Sequence, residues 1–292
     1  MSKGKIGFIG AGVMGASMIR NLMKAGYYVS VFTRTQSKAD ALVAEGASWA
    51  SSAMEAATDA NFVITIVGFP VDVEEVYLGE RGIISAAKSG AVLIDMTTSS
   101  PVLAKRISDL AKERGIEALD APVSGGDKGA REGALSIMVG GDEQTFNKAL
   151  PVLEAMGKNI VHQGKSGSGQ YAKMSNQIVI ASGMIGVCEA MYYAKKSGLE
   201  PFTVLKSIES GAAGSWALTN LIPRALKDDF AAGFYVKHFI KDMRIALESA
   251  EEMGITLPGL SLAKRLYDEL AASGSEDCGT QALFDLYQRG DV

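Results

Sequence analysis

Lys173 stands near the start of a stretch, Gln170 to Ser197, that is otherwise apolar nearly all round. Burying a charged amine in such a helix is costly without a purpose. A desolvated lysine has a lowered pKa and can serve as a general acid or base. Asn176 and Gln177 follow at i+3 and i+4 and share its face. Their amides suit substrate oxygens, or orientation of the amine. The spacing also suits a lysine whose stem lies on apolar surface while its head reaches water. Ser124, Gly125 and Gly126 follow Asp120-Ala-Pro-Val at the end of an apolar run. A Ser-Gly-Gly string there offers backbone N–H groups and one hydroxyl, a cradle for a carboxylate, or simply a tight turn. A serine nucleophile is disfavoured, because Gly-x-Ser-x-Gly is absent and neither His162 nor His238 is an evident partner. Lys241 and Asp242 lie near the start of another helical stretch, placed either to touch cofactor or substrate or to form a solvated face.

A second group of residues suits a dinucleotide. Gly10-Ala11-Gly12-Val13-Met14-Gly15 lies between a β-branched run and an amphipathic stretch, and a further apolar run follows, all within about 30 residues. In that context Gly10 permits the tight turn, Gly12 lets backbone approach a pyrophosphate, and Gly15 allows close helix–strand packing. The helix N-terminus then offers free N–H groups to phosphate. The second strand ends Thr33-Arg34-Thr35, and no carboxylate appears until Asp40. An acidic residue there would favour NAD, whereas the Arg34 fork suits a 2′-phosphate. NADP is therefore the preferred cofactor, with NAD possible. The third and fourth strands run into Gly68-Phe69-Pro70 and into Thr97-Thr98-Ser99-Ser100-Pro101. Thr98 suits the ligand, and Ser100 before Pro101 suits an N-cap. Gly164-Lys165-Ser166 is not a P-loop, because Asn159 occupies the required upstream glycine position.

The elements that must position these groups change character along the chain. Strands are expected at 5–9, 28–32, 62–67, 91–95, 117–120 and 135–139, with helices at 14–25, 37–45 and 100–114 between them. Gly26 and Gly46 serve as stops, and Ser37 as an N-cap. Continuous apolar strands alternating with helices predict an α/β fold, a Rossmann doubly wound parallel sheet covered on both faces. From Gln170 onward only helices are expected: 170–197, 202–210, 215–226, 236–253 and 260–273, with breaks at Pro201, Pro223 and Pro258. The reading is an NAD(P)-binding domain over 1–168 and an all-α substrate and oligomerisation domain over 169–292, built on a long interdomain helix.

Bulk properties exclude other classes. A net charge of −4 and no basic run longer than two residues argue against nucleic acid. Cys188 and Cys278 are too few for a disulfide framework and form no metal pattern, so a reduced, cytoplasmic setting without metal is expected. The run from Gly4 to Gly10 is too short for a signal-peptide core. The apolar stretch 178–194 carries Glu189 and reads as a buried helix, with no membrane span.

Taken in order, the strings Gly-Phe-Ile-Gly-Ala-Gly-Val-Met-Gly (7–15), Asp-Met-Thr-Thr-Ser-Ser-Pro (95–101), Asp-Ala-Pro-Val-Ser-Gly-Gly (120–126), Lys-Met-Ser-Asn-Gln (173–177) and Lys-Asp (241–242) resemble the β-hydroxyacid dehydrogenases. That family includes 3-hydroxyisobutyrate dehydrogenase and tartronate semialdehyde reductase. The resemblance covers nearly the whole chain. It implies an oxidoreductase that moves a hydride between NADP(H) and a small β-hydroxy acid or semialdehyde, with Lys173 as the general acid/base. It implies that Ser124, Gly125 and Gly126 hold the substrate carboxylate with Asn176 assisting, that Thr98 and Lys241 line the cofactor, and that Asp242 supports Lys241. It also implies a homodimer or homotetramer formed through the helical domain. The chain departs from the family at Gln177, where a second Asn is usual. Arg34 is like the NADP-using members. An imine reductase in the same fold would generally lack a lysine at 173. A sugar-phosphate dehydrogenase would want further Arg or Lys near the site. A non-catalytic dinucleotide sensor would need no Lys173.

Overall fold

The computed structural model describes residues 3–290, and the chain forms two compact units, the first ending at Lys173 and the second beginning at Met174. The first unit runs β1 (Lys5–Ile9), α1 (Val13–Lys24), β2 (Tyr28–Phe32), α2 (Asp40–Ala44), β3 (Ser48–Trp49), α3 (Ala53–Ala57), β4 (Phe62–Thr65), α4 (Pro70–Leu78), α5 (Ile83–Ala86), β5 (Val92–Asp95) and α6 (Pro101–Lys112). It continues with β6 (Glu117–Asp120), β7 (Val123–Ser124), α7 (Gly126–Glu132), β8 (Leu135–Gly140), α8 (Glu143–Leu153), β9 (Gly157–Gly164) and the start of α9 (Ser168–Lys196).

The strands form one sheet in the order β3-β2-β1-β4-β5-β6-β8-β7, with β9 beside β8. Strands β3 to β6 pair in parallel, as alternating strand and helix predict. The expected doubly wound parallel sheet is present; only at its far side is it mixed, where β8 runs antiparallel to both β6 and β7. Residues 121–122 carry β6 on into β7 in the same direction, and the chain then turns back through α7, so that β8 enters between them antiparallel to both. Alternate strand residues serve opposite faces: Ile64 and Ile94 join the core beneath α1 and α8, while Val63 and Leu93 join the core beneath α3, α4 and α6. Both faces are therefore buried, which explains the uninterrupted apolar strands. Gly26 and Gly46 end their segments with positive φ, as expected of helix stops. Ser37 is not a cap; it lies inside a 3-10 turn, Gln36–Lys38.

The second unit consists of the rest of α9 together with α10 (Pro201–Ile208), α11 (Trp216–Asn220), α12 (Ile222–Ala225), α13 (Val236–Glu252), α14 (Pro258–Leu270) and α15 (Leu283–Arg289). Its core gathers Met184, Cys188 and Met191 of α9 with Phe239 and Met243 of α13 and Leu266 of α14. By length and composition alone α9 could cross a membrane. Its inward side chains pack into the core of the second unit. The expected helix 215–226 divides between α11 and α12, because Pro223 at the second position of α12 has no N–H to continue the ladder.

Candidate active site

The order of the sheet reverses at β1, which lies between β2 and β4. The carboxyl ends of these strands form the switch point where open α/β sheets bind their ligands. The three glycines that follow β1 have separable duties. A Cβ on Gly10 would lie 2.1 Å from the Ile66 carbonyl oxygen, and one on Gly15 only 1.9 Å from that of Gly10. A Cβ on Gly12 would meet nothing within 4 Å. Gly10 and Gly15 are therefore demanded by the fold, while the space at Gly12 is left open for something outside it. Gly12 is also the N-cap of α1, which has no side-chain cap and no acidic residue in its first turn. Its end retains unmet N–H groups and a positive dipole, and these fit a pyrophosphate. Gly15→Ala is expected to cost about 3 kcal/mol or more, because backbone cannot yield as a side chain does. Gly12→Val should keep its melting temperature and lose dinucleotide affinity. Thermal melts with and without NADPH compare the two, and a Gly12 variant that bound normally would remove this loop from the site.

The loop after β2 meets the first turn of α4 through one ion pair. Arg34, between Thr33 and Thr35, is 79% exposed at its side chain, and its Nη1 donates to Asp72 Oδ1 at 2.9 Å. The other oxygen of Asp72 accepts the Phe69 N–H at 2.9 Å and so braces the Gly68-Phe69-Pro70 turn at the head of α4. Asp72 was not singled out in the sequence, although an acidic residue two places after Pro70 is the signal of a helix first turn.

After β5 the chain passes through a buried polar network. Thr65 Oγ1 donates to Asp95 Oδ1 at 2.8 Å and also contacts the Tyr77 hydroxyl at 2.9 Å. The Thr97 N–H reaches the same carboxylate oxygen at 3.0 Å, and Thr97 Oγ1 accepts the Val67 N–H at 3.0 Å. Burial pushes the Asp95 carboxyl up to about 6, against its hydrogen bonds, which pull it down. Thr98 is half-buried at the crest of this loop. Ser100 Oγ accepts the Leu103 N–H at 3.4 Å and caps α6, as its place before Pro101 suggested.

Ser124 ends β7, opposite Ser136. Gly125 and Gly126 follow with φ of +129° and +61°, conformations that L side chains rarely adopt. Both are exposed, so their backbone is accessible. On α9 Lys173 is buried, at 6% exposure. Asn176, Gln177, Lys241 and Asp242 come together within the second unit. Lys241 Nζ pairs with Asp242 Oδ1 at 2.9 Å, Gln177 Nε2 donates to Asp242 Oδ2 at 2.6 Å, and Asn176 Nδ2 donates to Gln177 Oε1 at 2.7 Å. The run ends at Asn176, whose carbonyl oxygen and second amide hydrogen are not used in these bonds. Gln177 and Asp242, at 1% exposure each, are the inner members. Among the described residues no group of three or more His, Cys, Asp or Glu side chains is placed to hold a metal.

An α/β unit with a glycine loop suited to a dinucleotide and a buried lysine at its end, followed by a helical unit, fits an oxidoreductase, and the comparisons agree. Residues 5–164 match the family described as the NAD binding domain of 6-phosphogluconate dehydrogenase. Residues 167–287 match the one described as NAD-binding of NADP-dependent 3-hydroxyisobutyrate dehydrogenase. The chain is 59% identical over 285 residues to an uncharacterised oxidoreductase of Bacillus subtilis, covering 98% of this chain and 99% of that one. It is 49% identical over 289 residues to a probable mitochondrial 3-hydroxyisobutyrate dehydrogenase-like protein of Arabidopsis thaliana, covering 99% and 86%. Among solved structures, the 3-hydroxyisobutyrate dehydrogenase of Mycobacterium tuberculosis with L-serine superposes with a TM-score of 0.89 at 35% identity, covering 98% and 99%. The chain belongs to the β-hydroxyacid dehydrogenase family. It is a nicotinamide-dinucleotide-dependent oxidoreductase acting on CH–OH groups.

Proposed function

We propose that the protein interconverts a small β-hydroxy acid and its semialdehyde, with NADP(H) preferred over NAD(H) and Lys173 as general acid/base. The observation that carries this reading is Lys173 itself, an amine at 6% exposure on an otherwise apolar helix. The relative solved with L-serine, itself a β-hydroxy acid, supports the substrate class. When bound, the nicotinamide supplies or accepts the hydride. The protein supplies placement and proton transfer. Backbone N–H groups at Gly125 and Gly126, with the Ser124 hydroxyl, hold the substrate carboxylate. In reduction the Lys173 ammonium gives its proton to the developing alkoxide; in oxidation the neutral amine takes the hydroxyl proton. Asn176 binds a substrate oxygen, and Gln177 contributes by holding the Asn176 amide in place. Lys241, fixed by Asp242, takes the cofactor side, as does Thr98. The boundary read from the sequence, 168–169, falls at the start of α9, five residues before the compact units divide after Lys173. Val179 and Tyr193 on α9 are 72% and 74% exposed, which favours a homodimer or homotetramer formed through the helical unit. The setting is cytoplasmic, consistent with two free cysteines, one of them buried.

The test is a panel of small aldehydes and hydroxy acids with both cofactors, followed by the absorbance of the reduced nicotinamide. Carboxylate-bearing semialdehydes should oxidise NADPH, and neutral aldehydes of equal size should not. Equal rates with both sets would remove the carboxylate cradle. Reduction of cyclic imines in place of semialdehydes would move the protein to another class.

A further inference from the structure

The first turn of α9 is fastened to the sheet more firmly than helix packing requires. Asp120, buried at the end of β6, accepts the Gly167 N–H at 2.7 Å with one carboxylate oxygen and the Gln170 N–H at 2.9 Å with the other. A Cβ on Gly169 would lie 2.4 Å from the Met138 carbonyl oxygen and 2.5 Å from that of Asp120, so the helix start is pressed directly onto backbone. The Gln170 side chain, at 0% exposure, then reaches the loop after β5. Its Nε2 donates to the Thr97 carbonyl at 2.8 Å, and its Oε1 accepts the Ser99 N–H at 2.9 Å. One carboxamide thus brackets Thr98 from both sides, pairing with main chain as a neighbouring strand would. Gln170 precedes Lys173 by three residues, about 4.5 Å of helix rise on the same side of the helix.

We propose that Gln170 is a positioning residue for the reaction: its carboxamide sets the register between the helix carrying Lys173 and the loop carrying Thr98, and thereby places the proton donor relative to the nicotinamide. The inference rests on the reading of Lys173 given above. A glutamine that merely filled the core could be exchanged for an apolar side chain of equal length with little effect on the chemical step. A register device could not, because a shift of about 1 Å in a reacting group costs on the order of 10²-fold.

Gln170→Glu and Gln170→Met separate these roles in the full chain. The new carboxyl in Gln170→Glu faces the Thr97 carbonyl, with Asp95 behind Thr97, Asp120 on the amide of residue 170 itself, and Lys173 one turn along. Ionised, it repels the carbonyl and the two carboxyls. Protonated, its O–H donates to Thr97 and its C=O accepts from Ser99, which restores the original pairing. Asp95 and Asp120 titrate in both proteins, so the ratio of variant to parent kcat is the quantity read. That ratio should be about 10⁻² at neutral pH, on the same positioning scale, and should recover as pH falls. Gln170→Met should lose a similar factor with no recovery. In both, the primary isotope effect with 4-deuterated NADPH should rise, while the NADPH dissociation constant changes only a few-fold. Hydrogen exchange at the Ser99 amide should lose protection in Gln170→Met. A lowered melting temperature with parental kcat and isotope effect overturns the proposal, as does a Gln170→Glu ratio flat with pH. Failure of both variants to fold, read by circular dichroism, also overturns it, since Gln170 would then serve stability alone. Lys173→Ala distinguishes the two levels: a dead Lys173 variant with indifferent Gln170 variants removes only the positioning role.

Discussion

Lys173→Ala is expected to lose about 10²–10⁴-fold in kcat, the contribution of a positioned proton donor, while binding NADPH within a few-fold of the parent. The argument is one of place and of chemistry. The amine is buried on α9, one turn beyond the Gln170 carboxamide that grips the Thr97–Ser99 loop. The dinucleotide loop at Gly10–Gly15 follows β1 in another part of the same unit, so truncating residue 173 leaves the phosphate contacts untouched. Lys173→Arg sharpens the result. A guanidinium keeps the positive charge and the donors, but it does not give up a proton in a protein. If charge alone stabilised the alkoxide, arginine would rescue much of the rate; if a proton must move, it will not. Steady-state rates in both directions with the best semialdehyde pair, alongside fluorescence titration of NADPH, make the measurement. Full turnover in the alanine variant would end the mechanism.

The sequence carried some of these relations and hid others. The strand–glycine–helix string was legible because Gly10 and Gly15 answer to steric demands that no other residue meets, and because its apolar flanks have strand and helix periods. Strand β9 was not, since Lys158, Asn159 and Gln163 give it an exposed, polar edge that reads as loop. The reversal of β8 was also invisible: strand direction depends on the connection, and β7 is only two residues long. At the site, Lys173 was conspicuous as a charge among apolar residues. Gln170, one turn earlier, was not, because a glutamine near a helix start is usually solvated. Its partners are the main-chain groups of Thr97 and Ser99, more than 70 residues away, and backbone acceptors have no signature in sequence. Gln177 was read as a departure from the family's usual asparagine; in the structure its longer side chain spans Asn176 and Asp242.

Arg34→Ala is expected to raise KM for NADPH by about 10- to 100-fold, the weight of one or two hydrogen bonds between charged partners, and to change KM for NADH much less. The structure adds a competitor to this reading. The guanidinium already leans on Asp72, at 2.9 Å, with most of its surface in water. Exposed pairs of this kind are weak and easily exchanged. A 2′-phosphate, carrying nearly two charges and three acceptor oxygens, should therefore draw Arg34 off the carboxylate, whereas a 2′-hydroxyl should leave it there. The pair would neutralise the arginine when NADH is bound, so the proposed preference for NADPH is compatible with use of NADH. Asp72→Asn tests this separately. The amide oxygen can still accept the Phe69 N–H that braces the turn, so the loop should hold. Removing the carboxylate frees the guanidinium and removes a repulsive charge beside the phosphate. Selectivity for NADPH over NADH should then rise a few-fold, and most at low ionic strength, where the lost repulsion was least screened. An Arg34 variant that weakens both cofactors equally would show that the fork does not read the phosphate. An Asp72 variant that lowers NADPH selectivity would show that the carboxylate orients the guanidinium for the phosphate and does not compete for it.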